Sequence, residues 1–396
     1  MSPSMPHTAL PPLESEALDQ SRRLAHLIRG EMARQGGRLP FDRYMELALY
    51  APGLGYYTGG SRKFGEAGDF VTAPEISPLF GRCLARQCAE VLQTMQGMGA
   101  VLEFGAGSGA LAADMLLELE SIRCLPERYL ILELSAELQQ RQRHRIEARA
   151  PHLLGRVEWL QGMPEVFRGV AVANELLDAM PVHRFRIEQG EVREIFARPA
   201  GEGFSFFADE VASAGLEAAV RRLQAEGYAT DDGYSSEINL RIEPWLGALA
   251  AAMQSGTILL IDYGYPRAAY YHPERSAGTL TCHHRHRVHD DPGIRVGLQD
   301  ITAHVDFTAV AEAGSAAGFS VMGYTTQAHF LLASGLEALM MDSDPVDVAA
   351  HMEITQGVKR LTLPSEMGER FKVIALGKGA EGPLMGFGLR DLRDRL

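Results

Sequence analysis

The sequence predicts an α/β protein built around an open, mostly parallel sheet. Short apolar runs of strand length alternate along the chain with stretches of helical periodicity, which is the pattern of βαβ units. One such run, residues 101–104, leads into three alternating glycines, after which small and apolar residues continue to Leu119. A strand, a tight turn and a helix in this order are typical of the first unit of a nucleoside-binding sheet.

Length and composition limit the possible classes of protein. The chain has 396 residues and is 46% hydrophobic, enough for two domains or for one large α/β unit with additions. Its net charge of −13 argues against binding to nucleic-acid backbones. No apolar run reaches the roughly 20 residues of a membrane helix. The four cysteines show no CxxC spacing and suit a reducing cytoplasm.

The N-terminal part predicts helices separated by an unusual loop. Apolar residues at helical spacing predict a helix from Leu18 to Met32 and a second one over residues 41–50. Residues 53–81 are rich in glycine and aromatic side chains, which favours a functional loop over an irregular packed connection. The helical pattern returns over residues 78–95. Residues 1–13 carry no Lys or Arg, so they predict a disordered tail rather than a targeting signal.

The glycine turn predicts a cofactor site. Gly105, Gly107 and Gly109 allow the backbone to turn sharply and a ligand to lie against it. The helix that follows directs its N-terminal amides at that ligand. The string GAGSGA fits both a dinucleotide fingerprint and the looser turn of S-adenosylmethionine (SAM) enzymes. A glycine turn without a ligand is the remaining alternative.

The second predicted strand, residues 129–134, contains an acid at its end. Glu133 lies 24 positions after Gly109, near the spacing at which a carboxylate meets both ribose hydroxyls of a bound nucleotide. This interpretation is favoured over a surface acid, because Glu133 closes an otherwise apolar run. A basic helix over residues 135–150 and a third strand at 157–160 follow.

Two further predicted strands, residues 170–173 and 257–261, run into polar side chains. These side chains are Asn174, Glu175 and Asp178 after the first strand and Asp262 after the second. Ligands of open parallel sheets bind beyond the carboxyl ends of the strands, so this group could orient a nitrogen nucleophile. Helix capping by Asn174, with Glu175 offsetting the helix dipole, is an equally good interpretation.

Residues 186–255 interrupt the alternation and predict an insertion on the substrate side. Their pattern indicates one or two hairpins over residues 186–208 and a helix over 214–226. After the insertion, His304 and Asp306 precede a further helix. Strands are predicted at residues 323–332 and 371–376.

Residues 282–291 form the most polar stretch and contain His283, His284, His286 and His289. Zinc binding is one interpretation, since Cys and His are good zinc ligands. We expect no metal there, because the spacing matches no standard site and Arg285 and Arg287 would repel a cation. A loop lining a polar active site is favoured over a solvated loop.

These pieces together resemble the MidA-like class I SAM-dependent methyltransferases. That family includes a mitochondrial arginine methyltransferase that assists respiratory complex I assembly, and many bacterial proteins. GDFVTAPEISPLFG and GLQDITAHVDFT are specific to the family, whereas the glycine turn is not. The matching segments span roughly residues 40–377, from FDRYMELALYAPGLGYYTGG through VLEFGAGSG, YLILELS, VANELLDAMPV, LLIDYGYP, YYHPERSAGTL and CHHRHRVHDDP to EMGERFKVIALG.

The resemblance implies an architecture and a set of cofactor residues. The fold would be a doubly wound, mostly parallel, seven-stranded Rossmann-like sheet with an antiparallel last strand, an N-terminal helical region and an inserted α+β region. The implied segments are a tail at 1–13, a helical and loop region covering the cofactor site at 14–98, the first part of the SAM-binding domain at 99–185, the insertion at 186–255, and the second part with the histidine-rich loop at 256–396. The implied SAM-binding residues are Asp69, Phe70, Thr72, Glu103, Gly105, Gly107, Gly109, Glu133, Leu134 and Asn174.

We predict methyl transfer from SAM to a protein side chain, and the resemblance points to an arginine nitrogen. A guanidinium is always protonated in water and is bound well by paired carboxylates. Glu175 with Asp178 or Asp262 could hold it. His304, or a histidine of residues 283–289, could accept the released proton.

Two other functions stay open at this point. An NAD-dependent dehydrogenase could use GAGSGA, although no second catalytic domain is recognisable. A SAM-binding assembly factor with little or no catalysis would keep the same glycine turn for its cofactor. The apparent lack of a targeting segment predicts a bacterial, cytoplasmic protein without membrane insertion. The expected partner is a protein substrate such as a complex I subunit, rather than nucleic acid, and a homodimer is allowed.

Overall fold

The computed structural model describes residues 13–59, 71–342, 348–380 and 382–396. The predicted cofactor residues Asp69 and Phe70 and nearly all of the predicted disordered tail lie outside these ranges. The helices are α1 (Ser15–Arg34), α2 (Phe41–Tyr50), α3 (Ala73–Ile76), α4 (Pro78–Gln93), α5 (Ala110–Ser121), α6 (Ala136–Arg149), α7 (Leu216–Ala225), α8 (Ile242–Ala252), α9 (Arg267–Tyr270), α10 (Phe307–Ala316), α11 (Gln327–Ala333), α12 (Leu336–Met341) and α13 (Val348–Thr362). The strands are β1 (Leu39–Pro40), β2 (Ala100–Phe104), β3 (Tyr129–Leu132), β4 (Val157–Leu160), β5 (Phe167–Asn174), β6 (His183–Glu188), β7 (Glu191–Ala200), β8 (Gly203–Glu210), β9 (Ser235–Ile238), β10 (Met253–Tyr265), β11 (Thr281–His284), β12 (Arg287–His289), β13 (Asp300–Thr302), β14 (Val305–Asp306), β15 (Ser320–Thr326) and β16 (Phe371–Lys378).

The chain divides into two units. The first, which we call the sheet unit, consists of Val71–Asp178, Ile242–Tyr270 and His304–Leu396. The second, the accessory unit, consists of the described residues within Met1–Phe70, Ala179–Arg241 and Tyr271–Ala303.

The sheet unit contains the predicted central sheet. Its main strands lie in the order β15-β16-β10-β5-β2-β3-β4, with the two-residue β14 beside the end of β10. The five strands from β10 to β4 are parallel, whereas β16 runs antiparallel to both of its neighbours. The predicted seven-stranded, mostly parallel sheet with an antiparallel last strand is therefore confirmed.

The order of the strands determines where a ligand can bind. The chain starts at β2, moves outward through β3 to β4, and then returns to add β5 on the opposite side of β2. Such a reversal opens a crevice beyond the carboxyl ends of the two central strands, which is where ligands of open α/β sheets bind. The residues that follow β2 and β5 are the glycine turn and Glu175.

The core of this unit forms because both faces of the sheet are covered. The five residues of β2 are all buried, and β10 is buried from Gly256 to Asp262. Near-continuous apolar runs of this kind are what a parallel sheet with helices on both faces requires.

One predicted strand is partly wrong. The sequence predicts a strand over residues 323–332, but β15 ends at Thr326 and α11 starts at Gln327. The Thr326 hydroxyl accepts a hydrogen bond from the N–H of His329 and caps the helix. The sequence of this stretch, GYTTQAHFLL, does not reveal where the period changes, because a short run of mixed polar and apolar residues fits a strand and a helix about equally well.

The accessory unit is a mixed α and β structure. Its larger sheet has the order β1-β7-β6-β9 with β8 on β7, and all of its pairings are antiparallel. The strands β6, β7 and β8 form a meander, in agreement with the predicted hairpins. The histidine-rich stretch supplies β11 and β12 of a separate three-stranded sheet. Helices α1 and α2 provide much of the buried apolar core of this unit.

Across the described ranges, we find no helix with the length and apolar character that a membrane span requires.

Candidate functional site

The glycine turn joins β2 to α5 through three left-handed backbone conformations. The φ angles are +62° at Gly105, +53° at Gly107 and +82° at Gly109. Gly109 also provides the N-cap of α5. A Cβ atom at this position would lie 2.9 Å from the Cα of Gln142 on α6. Glycine at 109 is therefore needed both for its conformation and for the close approach of α6.

Glu103 is buried directly below the glycine turn. The hydroxyl of Tyr129 donates a hydrogen bond to its Oε2 at 2.6 Å. Burial raises the pKa of Glu103 to about 7, and the nearby carboxylate of Glu133 adds to this rise. The position of Glu103 fits a role in supporting the turn from beneath, and its predicted contact with the cofactor stays a prediction.

Glu133 follows β3 at the same edge of the sheet. Its carboxylate accepts hydrogen bonds from the N–H of Ser135 at 2.9 Å and from Nε2 of Gln142 at 3.0 Å. The next residue, Leu134, has 73% of its surface exposed. A carboxylate held in place beside an exposed apolar side chain suits the hydroxyls and the ring of a nucleoside.

Thr72 lies on a segment that is fixed to the glycine turn. This residue precedes α3, which carries Glu75. The guanidinium of Arg145 donates to the Glu75 carboxylate at 2.7 Å and to the hydroxyl of Ser108 at 2.9 Å. The Ser108 hydroxyl in turn donates to Glu75. Sequence reasoning did not identify this cluster, since nothing in the spacing of its members indicates a contact.

Asn174 and Glu175 lie at the carboxyl end of β5. Glu175 has a φ of +50°, a left-handed conformation that is uncommon for a residue with a side chain. Its N–H donates to the carbonyl of Ile261 on β10 at 2.9 Å. Nδ2 of Asn174 donates to Oε1 of Glu175 at 3.2 Å, and Oδ1 of Asn174 is buried with no hydrogen-bond partner among the residues that the structure describes. Backbone strain of this kind concentrates at functional sites.

Asp262 and Asp178 lie beside this strained residue but are buried. Asp262 accepts hydrogen bonds from the N–H groups of Leu177 at 2.9 Å, Asp178 at 3.2 Å and Tyr263 at 2.9 Å. Burial raises the pKa of Asp262 well above its usual range, and the carboxylates of Asp178 and Glu175 raise it further. Asp178 accepts a hydrogen bond from the Tyr263 hydroxyl. Both acids therefore hold the loop after β5 in place.

His304 lies between two aromatic rings of β10. Its ring centroid is 5.2 Å from that of Tyr263 and 5.3 Å from that of Tyr265. Tyr263 also donates to Asp178, so His304 is in the same group of contacting side chains as the acids. The structure thus brings together Asn174, Glu175, Asp178, Asp262 and His304 within the sheet unit.

The histidine-rich stretch belongs to the accessory unit. Arg285 and His286 form its turn, with φ angles of +49° and +59°. Nδ1 of His284 lies 2.6 Å from the carbonyl oxygen of Leu298. Histidine side chains of this stretch therefore contribute to local structure, and its predicted place at an active site stays a prediction.

Another histidine of the accessory unit lies between two acids. Nδ1 of His183 is 3.4 Å from Asp42 Oδ1 and 3.7 Å from Glu194 Oε1. Glu194 already accepts hydrogen bonds from Ser213 and from two backbone N–H groups, and the guanidinium of Arg241 lies 3.4 Å from Asp42. Since these donors satisfy the carboxylates, we interpret the group as an ion-pair network.

The fold and the site define a class of protein. The family model described as "Putative S-adenosyl-L-methionine-dependent methyltransferase" matches residues 83–325, which include β2, β3, β5 and β10. The protein is a class I SAM-dependent methyltransferase with a Rossmann-like sheet, and SAM is its methyl donor.

Relatives of known sequence or structure narrow the class. A COG1565 superfamily protein from Burkholderia thailandensis bound to S-adenosyl-homocysteine is 44% identical, with a TM-score of 0.93 over 98% of this chain and 100% of that chain. The Drosophila melanogaster protein named "Protein arginine methyltransferase NDUFAF7 homolog, mitochondrial" is 27% identical over 95% of this chain and 91% of its own length. Its human counterpart is 26% identical over 92% and 85%. The chain belongs to the MidA-like methyltransferase family.

Proposed function

We propose that the protein transfers the methyl group of SAM to an arginine nitrogen of a protein substrate. The observation that carries the proposal is the group of acids after β5 and β10, in which Glu175 is partly exposed and backbone-strained while Asp178 and Asp262 are buried behind it. The two eukaryotic relatives named above as protein arginine methyltransferases support the same acceptor.

The residues around the glycine turn fit an adenosyl group. Glu133 is oriented by two hydrogen bonds and offers carboxylate oxygens for the ribose hydroxyls. Leu134 offers exposed apolar surface for the adenine ring. The glycines of the turn leave its backbone open to close approach. SAM supplies a methyl group bound to a positively charged sulfur, from which it can be displaced by a nitrogen.

The acids would hold the acceptor for this displacement. Glu175 would bind the guanidinium by charge-assisted hydrogen bonds and align one nitrogen with the methyl group. Asp262 would act as a positioning residue, because it fixes the loop that carries Glu175. His304 would accept the proton that the nitrogen loses as the new bond forms, since histidine titrates near neutral pH.

Glu175→Gln tests this assignment. The change keeps the shape of the side chain but removes the charge that binds a guanidinium, so we expect turnover to fall by about 100-fold or more. Affinity for SAM should stay within about twofold, because Glu175 is not part of the glycine turn. The assay follows label from methyl-labelled SAM into lysate proteins and locates it by mass spectrometry. The matched control is Glu165→Gln, an exposed acid in the loop before β5.

The outcomes separate the proposal from its alternatives. Label on arginine that is lost in Glu175→Gln supports the proposal. Full activity of the variant removes Glu175 from the mechanism. Label confined to small molecules changes the substrate class, and tight SAM binding without any transfer supports an assembly factor.

The proposal also covers the cellular location of the enzyme and the identity of its acceptor protein. We infer a bacterial enzyme, in agreement with the bacterial source of the Burkholderia relative, and we propose that it acts in the cytoplasm. A respiratory complex I subunit is the first acceptor to test. The arginine-labelling assay identifies the acceptor directly, and sedimentation of the purified protein tests the allowed homodimer.

A further inference from the structure

Gln142 connects three consecutive strand ends of the SAM-binding sheet. The residue lies on α6 and its side chain is fully buried. Its Nε2 lies 3.1 Å from the carbonyl oxygen of Gly107, in the turn after β2, and 3.0 Å from Oε2 of Glu133, after β3. Its Oε1 lies 2.9 Å from Nε1 of Trp159, on β4.

The chemistry of the three neighbours fixes the orientation of the amide. An indole N–H can only donate, so Trp159 requires the amide oxygen on its side. A carbonyl and a carboxylate can only accept, so Gly107 and Glu133 require the amide nitrogen on theirs. Both amide hydrogens and the amide oxygen are thereby used, which leaves a single arrangement for a fully buried side chain.

We propose that Gln142 is the positioning residue of the cofactor pocket and sets how the pocket recognises a ribose. Gln142 holds one carboxylate oxygen of Glu133 at a fixed distance from the glycine turn. The carboxylate that is proposed to meet the ribose hydroxyls therefore keeps a fixed position relative to the turn. The inference rests on the proposed role of Glu133 toward ribose. It assigns to Gln142 no contact with the cofactor itself.

A glutamate at this position cannot replace the amide. The side chain would keep its size but lose both hydrogens when ionised and one of them when protonated, so the Gly107 carbonyl, the Glu133 carboxylate or both would lose their partner. When ionised, the new carboxylate would also repel that of Glu133 beside it. Replacing the NH2 of the amide by an oxygen should thus disturb the carboxylate of Glu133 without creating a cavity.

The test compares two ligands in four proteins. Calorimetry would measure the affinity for S-adenosylhomocysteine and for its 2′-deoxyribose analogue. The proteins are the wild type, Gln142→Glu, Trp159→Phe and Gln140→Glu. Gln140 is exposed on the same helix, so its substitution controls for the added charge. Thermal melting of each variant shows whether it is folded.

We expect the wild type to prefer the ribose ligand by about tenfold or more, since a hydroxyl bonded to a carboxylate is lost in the analogue. Gln140→Glu should behave like the wild type. Gln142→Glu should bind S-adenosylhomocysteine at least about tenfold more weakly and discriminate less than twofold between the ligands. Trp159→Phe, which keeps Gln142 but removes the donor that orients it, should give an intermediate preference.

Two results would overturn the proposal. One is a folded Gln142→Glu protein that keeps the wild-type preference for ribose, because Gln142 would then only stabilise the fold. The other is a wild type that binds both ligands equally, because Glu133 would then not recognise the 2′-hydroxyl of the ribose. If Gln142→Glu does not fold, an unchanged preference in Trp159→Phe contradicts the proposal. The ribose preference is measured by binding alone. If the wild type shows this preference but methylates no arginine, the proposed function fails while the role of Gln142 stands.

Discussion

Glu175 and Asp262 follow neighbouring strands, yet their surroundings give them different capacities. The carboxylate of Asp262 accepts hydrogen bonds from three backbone N–H groups and is almost completely buried. Glu175 is partly exposed and reaches its position through a left-handed backbone conformation. A buried acid that already accepts several hydrogen bonds is suited to holding a loop, whereas an exposed one can meet a substrate. The sequence predicts both as catalytic, because residue type and strand position do not reveal burial.

The pKa of Glu103 predicts a stability that depends on pH. Its pKa is about 7 in the folded protein against 4.5 as its ordinary value, so the folded state binds more protons between these values. Stability should therefore fall as pH rises from about 4.5 to about 7, by roughly 3 kcal/mol at most. Glu103→Gln removes this titration while keeping an acceptor for the Tyr129 hydroxyl. We expect the unliganded variant to melt higher than wild type at pH 8, with a smaller difference at pH 5.

The control for this measurement is Glu127→Gln, an exposed acid in the loop before β3. This substitution removes one carboxylate without changing the buried surroundings of the turn. A melting difference between Glu103→Gln and wild type that is the same at pH 5 and pH 8 would contradict the assigned pKa.

At the scale of elements, the contact between α5 and α6 depends on one glycine. Gly109→Ala adds a Cβ at 2.9 Å from the backbone of Gln142, in addition to the cost of a left-handed alanine. Gly97 also has a left-handed φ, +81°, but a Cβ added there would meet no atom of the described residues within 4 Å, apart from its chain neighbours. Gly97→Ala therefore isolates the conformational cost, about 1–2 kcal/mol. We expect Gly109→Ala to destabilise the protein more than Gly97→Ala and to weaken SAM binding. Urea unfolding and calorimetry measure both effects, and equal losses for the two variants would show that helix approach is unimportant.

Some elements of this protein can be predicted from its sequence and others cannot. The glycine turn and the apolar runs at β2, β5 and β10 have a period and a length that identify them, and these elements are where they were expected. The change from β15 to α11 is not visible in the sequence, because the mixed polar and apolar residues around Thr326 show no clear period. The role of Gln142 was missed as well, since a glutamine in a basic helix gives no local signal and its three partners lie on separate segments.

At the scale of the whole molecule, the order of segments limits how the chain can be shortened. The sheet unit takes its last strands from His304–Leu396. A chain that ends at Ala303 lacks β16, which pairs with β10 from Gly256 to Tyr263. We expect this truncated chain to aggregate, because the exposed edge of β10 is long and apolar. Soluble yield and gel filtration test the expectation, with a chain ending at Leu392 as the control that keeps every strand. A soluble, monomeric chain ending at Ala303 would contradict it.

The hydrogen bond between Trp159 and Gln142 also gives the protein an optical property. The chain has two tryptophans, and Trp245 packs against Phe104 with ring centroids 5.3 Å apart. Trp245→Phe would leave one indole, separated by a single amide from the carboxylate that is proposed to meet the ribose. Indole emission responds to the polarity and hydrogen bonding around the ring. Occupancy of the pocket could then be followed as a change in fluorescence, without a label and without knowledge of the methyl acceptor.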